Sequence, residues 1–141
     1  MEPNRQSYRN NGGENQPETE FRIQTKAMDM LDYTLRITEN TDHFPKWMRG
    51  NLVKYIRDTA TEILQCIVEA NAIQPGGETP VSERRLAQEK AIRACTYLLA
   101  LIDISGKNGR VNARRRQFWG QKVKDVKFMT MAWNKKERSV K

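Results

Sequence analysis

The chain has 141 residues, 38% of them apolar, and a mean hydropathy of −0.82, which gives one domain with a single core and a large solvated surface. No run nears the roughly 18 apolar residues that span a bilayer, Met1-Glu2-Pro3-Asn4-Arg5 lacks a secretory apolar stretch, and two cysteines with one histidine are too few for a usual zinc site. The formal net charge of +8 is uneven: residues 1–109 carry 14 basic and 15 acidic side chains (−1), whereas 110–141 carry 11 basic ones against Asp125 and Glu137 (+9).

Residues 1–17 form a polar string with little to bury and are expected to be disordered. From about Glu18 to Asn40, Ile23, Ala27, Met30, Leu31, Thr34 and Ile37 recur three and four apart, which predicts a helix with one apolar face. Asp42-His43-Phe44-Pro45 opens a second helix, with Pro45 in its first turn, and Leu52, Ile56, Ala60, Ile63, Ile67 and Ala70 carry it to about Ala72. Gln74-Pro75-Gly76-Gly77-Glu78 breaks the pattern. Thr79-Pro80 and Ser82 supply caps for a third helix with Leu86, Ala91, Cys95, Leu98, Leu99 and Ile102 as its apolar set. Ser105-Gly106-Lys107-Asn108-Gly109 ends it. A fourth helix is predicted from about Asn112 to Trp133, with Phe118, Trp119, Val123, Val126, Met129 and Trp133 on one stripe. No segment alternates with period two. The pattern predicts an all-α, antiparallel up-down-up-down four-helix bundle over residues 18–134, followed by a basic tail at 135–141.

No catalytic constellation is present. His43 reads as a loop or capping histidine, and Cys66 and Cys95 read as reduced core thiols. Gly76-Gly77 and Gly106 to Gly109 lack the phosphate-loop sequence. The expectation is a cytoplasmic protein that is not an enzyme and takes no cofactor or metal.

The basic residues carry the functional signal. Arg116, Lys124 and Lys127 fall within about 80° of one another on the fourth helix, and Arg110 and Arg114 gather at its start, where a bound anion would relieve their conflict with the helix dipole. Arg115 and Lys122 point along the apolar stripe. Lys46, Arg49, Lys54 and Arg57 belong to the second helix, and Lys135, Lys136 and Arg138 to the tail. Together they predict one phosphate-binding surface on helices two and four; the plainer reading is a solvated face with a solubilising tail. Trp119 reads as core, whereas Trp47 and Trp133, near helix ends, are candidates for a subunit or partner interface. A surplus of large side chains over what one slim bundle can bury predicts a homo-oligomer.

Phe44-Pro45-Lys46, followed by a long amphipathic helix ending Glu69-Ala70-Asn71, resembles the signature of a bacterial four-helix-bundle family. That family comprises the accessory variability determinants of diversity-generating retroelements and the bundle proteins encoded in intervening sequences of large-subunit ribosomal RNA. The basic fourth helix ending Phe128-Met129-Thr130-Met131-Ala132-Trp133 is similar to the retroelement branch, with Thr130, Met131 and Ala132 where that branch commonly has glycines. The similarity covers about residues 20–134. It implies a pentamer that binds the retroelement reverse transcriptase and its template RNA, or an RNA/DNA hybrid, and supports mutagenic copying. The ribosomal branch implies a structural oligomer with no retroelement role.

Overall fold

Four segments with apolar side chains three and four residues apart can bury those faces only by packing together, and they do so as helices. The computed structural model describes residues 16–73 and 80–139, with side chains for 18–73 and 82–137. Of the segment 1–17 expected to be disordered, residues 1–15 lie outside the described residues, whereas Gln16 and Pro17 already belong to the first helix; the Gln74–Glu78 break and the Thr79 cap also lie outside the described residues. The elements are α1 (Gln16–Glu39), a 3₁₀ turn (Lys46–Met48), α2 (Leu52–Ala72), α3 (Pro80–Lys107) and α4 (Ala113–Ser139), with no strand among the described residues.

Helix α1 packs against α2 and α4, and α3 packs against the same two, so α2 and α4 lie across the bundle from each other. Ile23 and Met30 from α1, Ile56, Ile63 and Ile67 from α2, Leu98 and Ile102 from α3, and Trp119, Val123 and Val126 from α4 are at most 1% exposed. Each such side chain contributes about 1.5–3 kcal/mol by leaving water. Trp119 can sit in the centre because its one polar atom is satisfied: Nε1 donates to Thr34 Oγ1 at 3.0 Å, and Thr34 in turn donates to the Met30 carbonyl at 2.8 Å. Cys66 and Cys95 are buried and unbridged, as their place on the apolar stripes predicts.

Several boundaries differ from the sequence expectation. Pro45 does not open α2; it precedes the 3₁₀ turn, and α2 begins at Leu52, whose N–H is accepted by the Asn51 side chain. Trp47 therefore lies in that turn. The Ser105–Gly109 run ends α3 as expected: the helix passes through Gly106 to Lys107 and closes with Gly109 at φ +72. There the Arg110 N–H reaches back to the Ser105 carbonyl at 2.9 Å and the Gly109 N–H to the Gly106 carbonyl at 3.0 Å, the paired bonds of a left-handed glycine cap. Helix α4 continues to Ser139, so residues 135–139 are helix rather than tail. Its last turns persist because Asn134 donates to Gln88 Oε1 at 2.9 Å and Glu137 meets Arg84 on α3.

Two residues assigned to apolar stripes face outward instead: Leu86 is 48% exposed and Phe118 is 55% exposed. Each stands next to, rather than on, the row that packs. The row on α3 is Arg84, Ala87, Ala91, Ala94, Leu98 and Leu101, and its first member is a buried arginine.

Candidate nucleic-acid interface

The start of α4 is built by Asn112, whose Oδ1 accepts the Arg115 N–H at 2.8 Å. That cap turns the chain after buried Val111 and sets Arg114-Arg115-Arg116 on the first helical turn. Neighbouring residues on a helix diverge by about 100°, so the three arginines cannot share a face.

Arg114 and Arg115 are exposed and line a recess of about 410 Å³ between α1 and α4, together with Tyr33, Asn112 and Phe118. The Tyr33 and Phe118 rings meet edge to face at 5.3 Å. Lys122 crosses from α4 to α1: its Nζ is 2.7 Å from Asp29 Oδ2, 4.8 Å from the Phe118 ring centroid and 5.7 Å from that of Tyr33. Lys122 thus follows the apolar stripe as expected but ties two helices of one molecule. Arg116 turns the other way and, with Lys124, Asp103 and Gln117, lines a cleft of about 480 Å³ between α3 and α4. Its aliphatic part lies over Gly106, where a Cβ would stand 2.7 Å from Arg116 Cδ. Lys127 is half-buried further along the same seam, close enough to Cys95 for its charge to favour the thiolate, although burial dominates and pushes that thiol up to about 12.

The basic residues of the second helix have other partners. Lys54 pairs with Asp58 at 2.9 Å, and that hydrogen bond and charge raise its pKa above the ordinary lysine value. Arg57 donates to Thr38 Oγ1 at 2.9 Å and to the Leu35 carbonyl at 3.1 Å, closing the end of α1. Arg110 curls back to the Asn108 carbonyl at 3.1 Å. Lys46, which opens the 3₁₀ turn, and Arg49, which follows it, are exposed. The single surface expected from helices two and four is therefore divided: Lys54 and Arg57 lie on a helix across the bundle from α4, because each of these helices packs between α1 and α3. Lys135 and Lys136 are exposed on the last turns of α4, and the Arg138 side chain lies outside the described residues.

Of the two interface tryptophans, Trp47 is 68% exposed, whereas Trp133 is 2% exposed against Arg84, so no partner reaches it without opening the bundle. Sequence reasoning passed over Tyr33 and Asp29. Tyr33 directly precedes the buried Thr34, and the only signal was that an aromatic one step off the stripe must stand at its edge. Among the described residues no group of three or more His, Cys, Asp or Glu could hold a metal, and no helix is long and apolar enough to cross a membrane. Comparison with protein-family models, with curated proteins and with solved structures gave no match.

Proposed function

We propose that this chain is a non-enzymatic nucleic-acid-binding accessory protein that engages a retroelement reverse transcriptase and its template RNA through the basic face of α4, supporting mutagenic copying. One observation carries the reading. Arg114-Arg115-Arg116 open α4 with no acidic partner in any ion pair among the described residues, in the quarter of the chain that holds the whole positive excess. Phosphates supply the missing negative charge and release counterions on binding. The choice of a reverse transcriptase and its template comes from the sequence resemblance. The test is co-purification with a candidate retroelement reverse transcriptase, followed by sequencing of bound RNA. Recovery of both supports the reading, and recovery of neither overturns it.

The fold of this proposal is the antiparallel up-down-up-down course, supported by Arg57 at the start of α2 reaching Thr38 at the end of α1, and by Arg84 at the start of α3 reaching Glu20 and Glu137. Its assembly is a cytoplasmic homopentamer. Phe21, Met28 and Leu35, seven residues apart on α1, are 67%, 52% and 36% exposed, a stripe that a second copy would cover. That stripe also favours a second reading, the structural oligomer of the ribosomal-insertion type. Light scattering that gives a mass several times 16.5 kDa, with no RNA and no polymerase retained, would install it instead.

A further inference from the structure

The structure carries features that could host further chemistry, and one of them combines shape, flat apolar surface and charge. We propose that the recess between α1 and α4 seats one unstacked base of a single-stranded RNA against Phe118, with Arg114 and Arg115 on the adjoining phosphates. This rests on the RNA-binding reading and adds to it the form of the ligand: an unpaired strand held by a base, not only a polyanion held by charge.

The lining residues are those a nucleotide requires. The recess of about 410 Å³ is lined by two aromatic side chains, Tyr33 and Phe118, by two cations, Arg114 and Arg115, and by Asn112. An aromatic side chain left 55% exposed, as Phe118 is, offers a surface that any base can cover, since every base has a flat π-face. Phe118 is also held in place. The Tyr33 ring meets it edge to face at 5.3 Å, and Lys122 Nζ, fixed by Asp29 at 2.7 Å, stands over it 4.8 Å from the centroid. A ring propped in this way loses little freedom when a base docks, which favours affinity. Asn112 secures the backbone of Arg115, so the residue that carries this cation is fixed one helical turn from the ring. A duplex cannot use the site, because its bases are already paired and stacked. An acidic peptide would use the arginines and leave the aromatic walls idle.

The test uses the full chain and an unstructured ten-nucleotide RNA, alongside a strand of equal length with the same phosphates but abasic positions. Binding is read by fluorescence anisotropy over a series of salt concentrations. Phe118→Ala is expected to weaken the base-bearing strand about tenfold or more, to leave the abasic strand unchanged, and to keep the salt slope of the parent. Phe118→Trp restores binding. Arg115→Gln weakens both strands and makes the slope shallower. Phe118→Leu keeps apolar bulk without a π-face, so it serves as the reference if the alanine variant melts early. If Phe118→Ala and Phe118→Leu bind the base-bearing strand as the parent does, or lose equally on both strands, the base pocket is wrong while the RNA-binding reading stands. Displacement of the strand by a glutamate-rich peptide, with no effect of Phe118, overturns it likewise. No binding of either strand at low salt overturns both.

Discussion

The Arg84 guanidinium lies 5.1 Å from the centroid of the Trp133 indole, and both side chains are withdrawn from solvent. Around that pair one end of the bundle closes. Arg84 Nη1 donates to the Ala70 carbonyl at 3.1 Å and to the Ile73 carbonyl at 2.6 Å, and Nη2 bonds Glu20. Nε stands 3.2 Å from Glu137 Oε2, an ionic contact outside hydrogen-bond alignment. One side chain on α3 thereby reaches α1, the end of α2 and α4. Replacing it by methionine keeps the volume and takes the arginine away from two largely enclosed carboxylates and from the Ile73 carbonyl, whereas the Ala70 carbonyl keeps the Ile73 N–H at 3.3 Å. Arg84→Met should cost about 3–5 kcal/mol, a fall of roughly 10 °C or more in melting temperature. Adding Glu20→Gln and Glu137→Gln should recover part of the loss in thermal denaturation followed by circular dichroism. A change under about 1 kcal/mol would mean that Arg84 is solvated.

Arg84 also shows where the sequence stops being legible. Apolar periodicity located all four helices, because Ile23, Ala27, Met30 and Ile37 on α1 and Ile56, Ala60, Ile63 and Ile67 on α2 are buried as their spacing requires. A charged residue on the same row reads as solvent-facing by type, although Arg84 is in register with Ala91 and Leu98. Phe118 and Trp119 pose the converse problem. Both are apolar, and only the spacing of Trp119, Val123, Val126, Thr130 and Trp133 selects which of the two goes in. The basic surface was legible as a count but not as a shape. Whether Lys54 and Arg57 face the same way as Arg116 depends on which helices are neighbours, and periodicity within a helix does not specify that.

Gly106 and Gly109, three residues apart at the end of α3, should respond differently to alanine. Gly109 sits at φ +72, where a side chain is strained, so Gly109→Ala should destabilise by about 1 kcal/mol. Gly106 is inside the helix, and the atoms nearest a Cβ there all belong to the Arg116 side chain, at 2.7 Å for Cδ and 2.9 Å for Nη1. Arginine can swing aside, and alanine gains about 1 kcal/mol of helix propensity over glycine, so Gly106→Ala should melt no lower than the parent. Equal losses for both in urea titrations would contradict this.

Alkaline pH should erode stability through Cys95. Burial pushes its thiol up to about 12 from an ordinary 9.0, and burial also raises Cys66. The unfolded chain therefore sheds the Cys95 proton first. Stability from this group is complete below about pH 9 and is lost as pH rises towards 12, at about 1.4 kcal/mol per pH unit. Cys95→Ala should flatten that decline relative to the parent, after its own cavity cost is subtracted at neutral pH. The native protein should also resist thiol reagents that modify both cysteines in denaturant. Rapid labelling of Cys95 at pH 8 would argue against its burial.

Nucleic-acid binding should depend on salt, and its slope should distinguish among the basic groups on α4. For single-stranded RNA the logarithm of affinity falls by about 0.7 per neutralised phosphate for each unit in the logarithm of salt concentration. About five or six contacts would thus give a slope near −4. Replacing Arg114 and Arg115 by Gln removes two cations from the α1 side of α4, and replacing Arg116, Lys124 and Lys127 removes three from the α3 side; glutamine keeps helix propensity in both. Deleting everything after Trp133 is a poor third arm, because it also removes Asn134 and Glu137, which hold α4 to Gln88 and Arg84. Lys135→Gln with Lys136→Gln tests the last turns instead. If the α1 side carries the strand, the first pair alone should make the slope shallower by about one unit or more, with the melting temperature unchanged. A flatter slope only on changing Arg116, Lys124 and Lys127 would move the strand to the α3–α4 cleft. Loss confined to Lys135 and Lys136 would put it at the far end of the helix. A slope that none of the three sets alters would reduce the positive charge to a solubilising role, and the structural-oligomer reading would then account for the protein better.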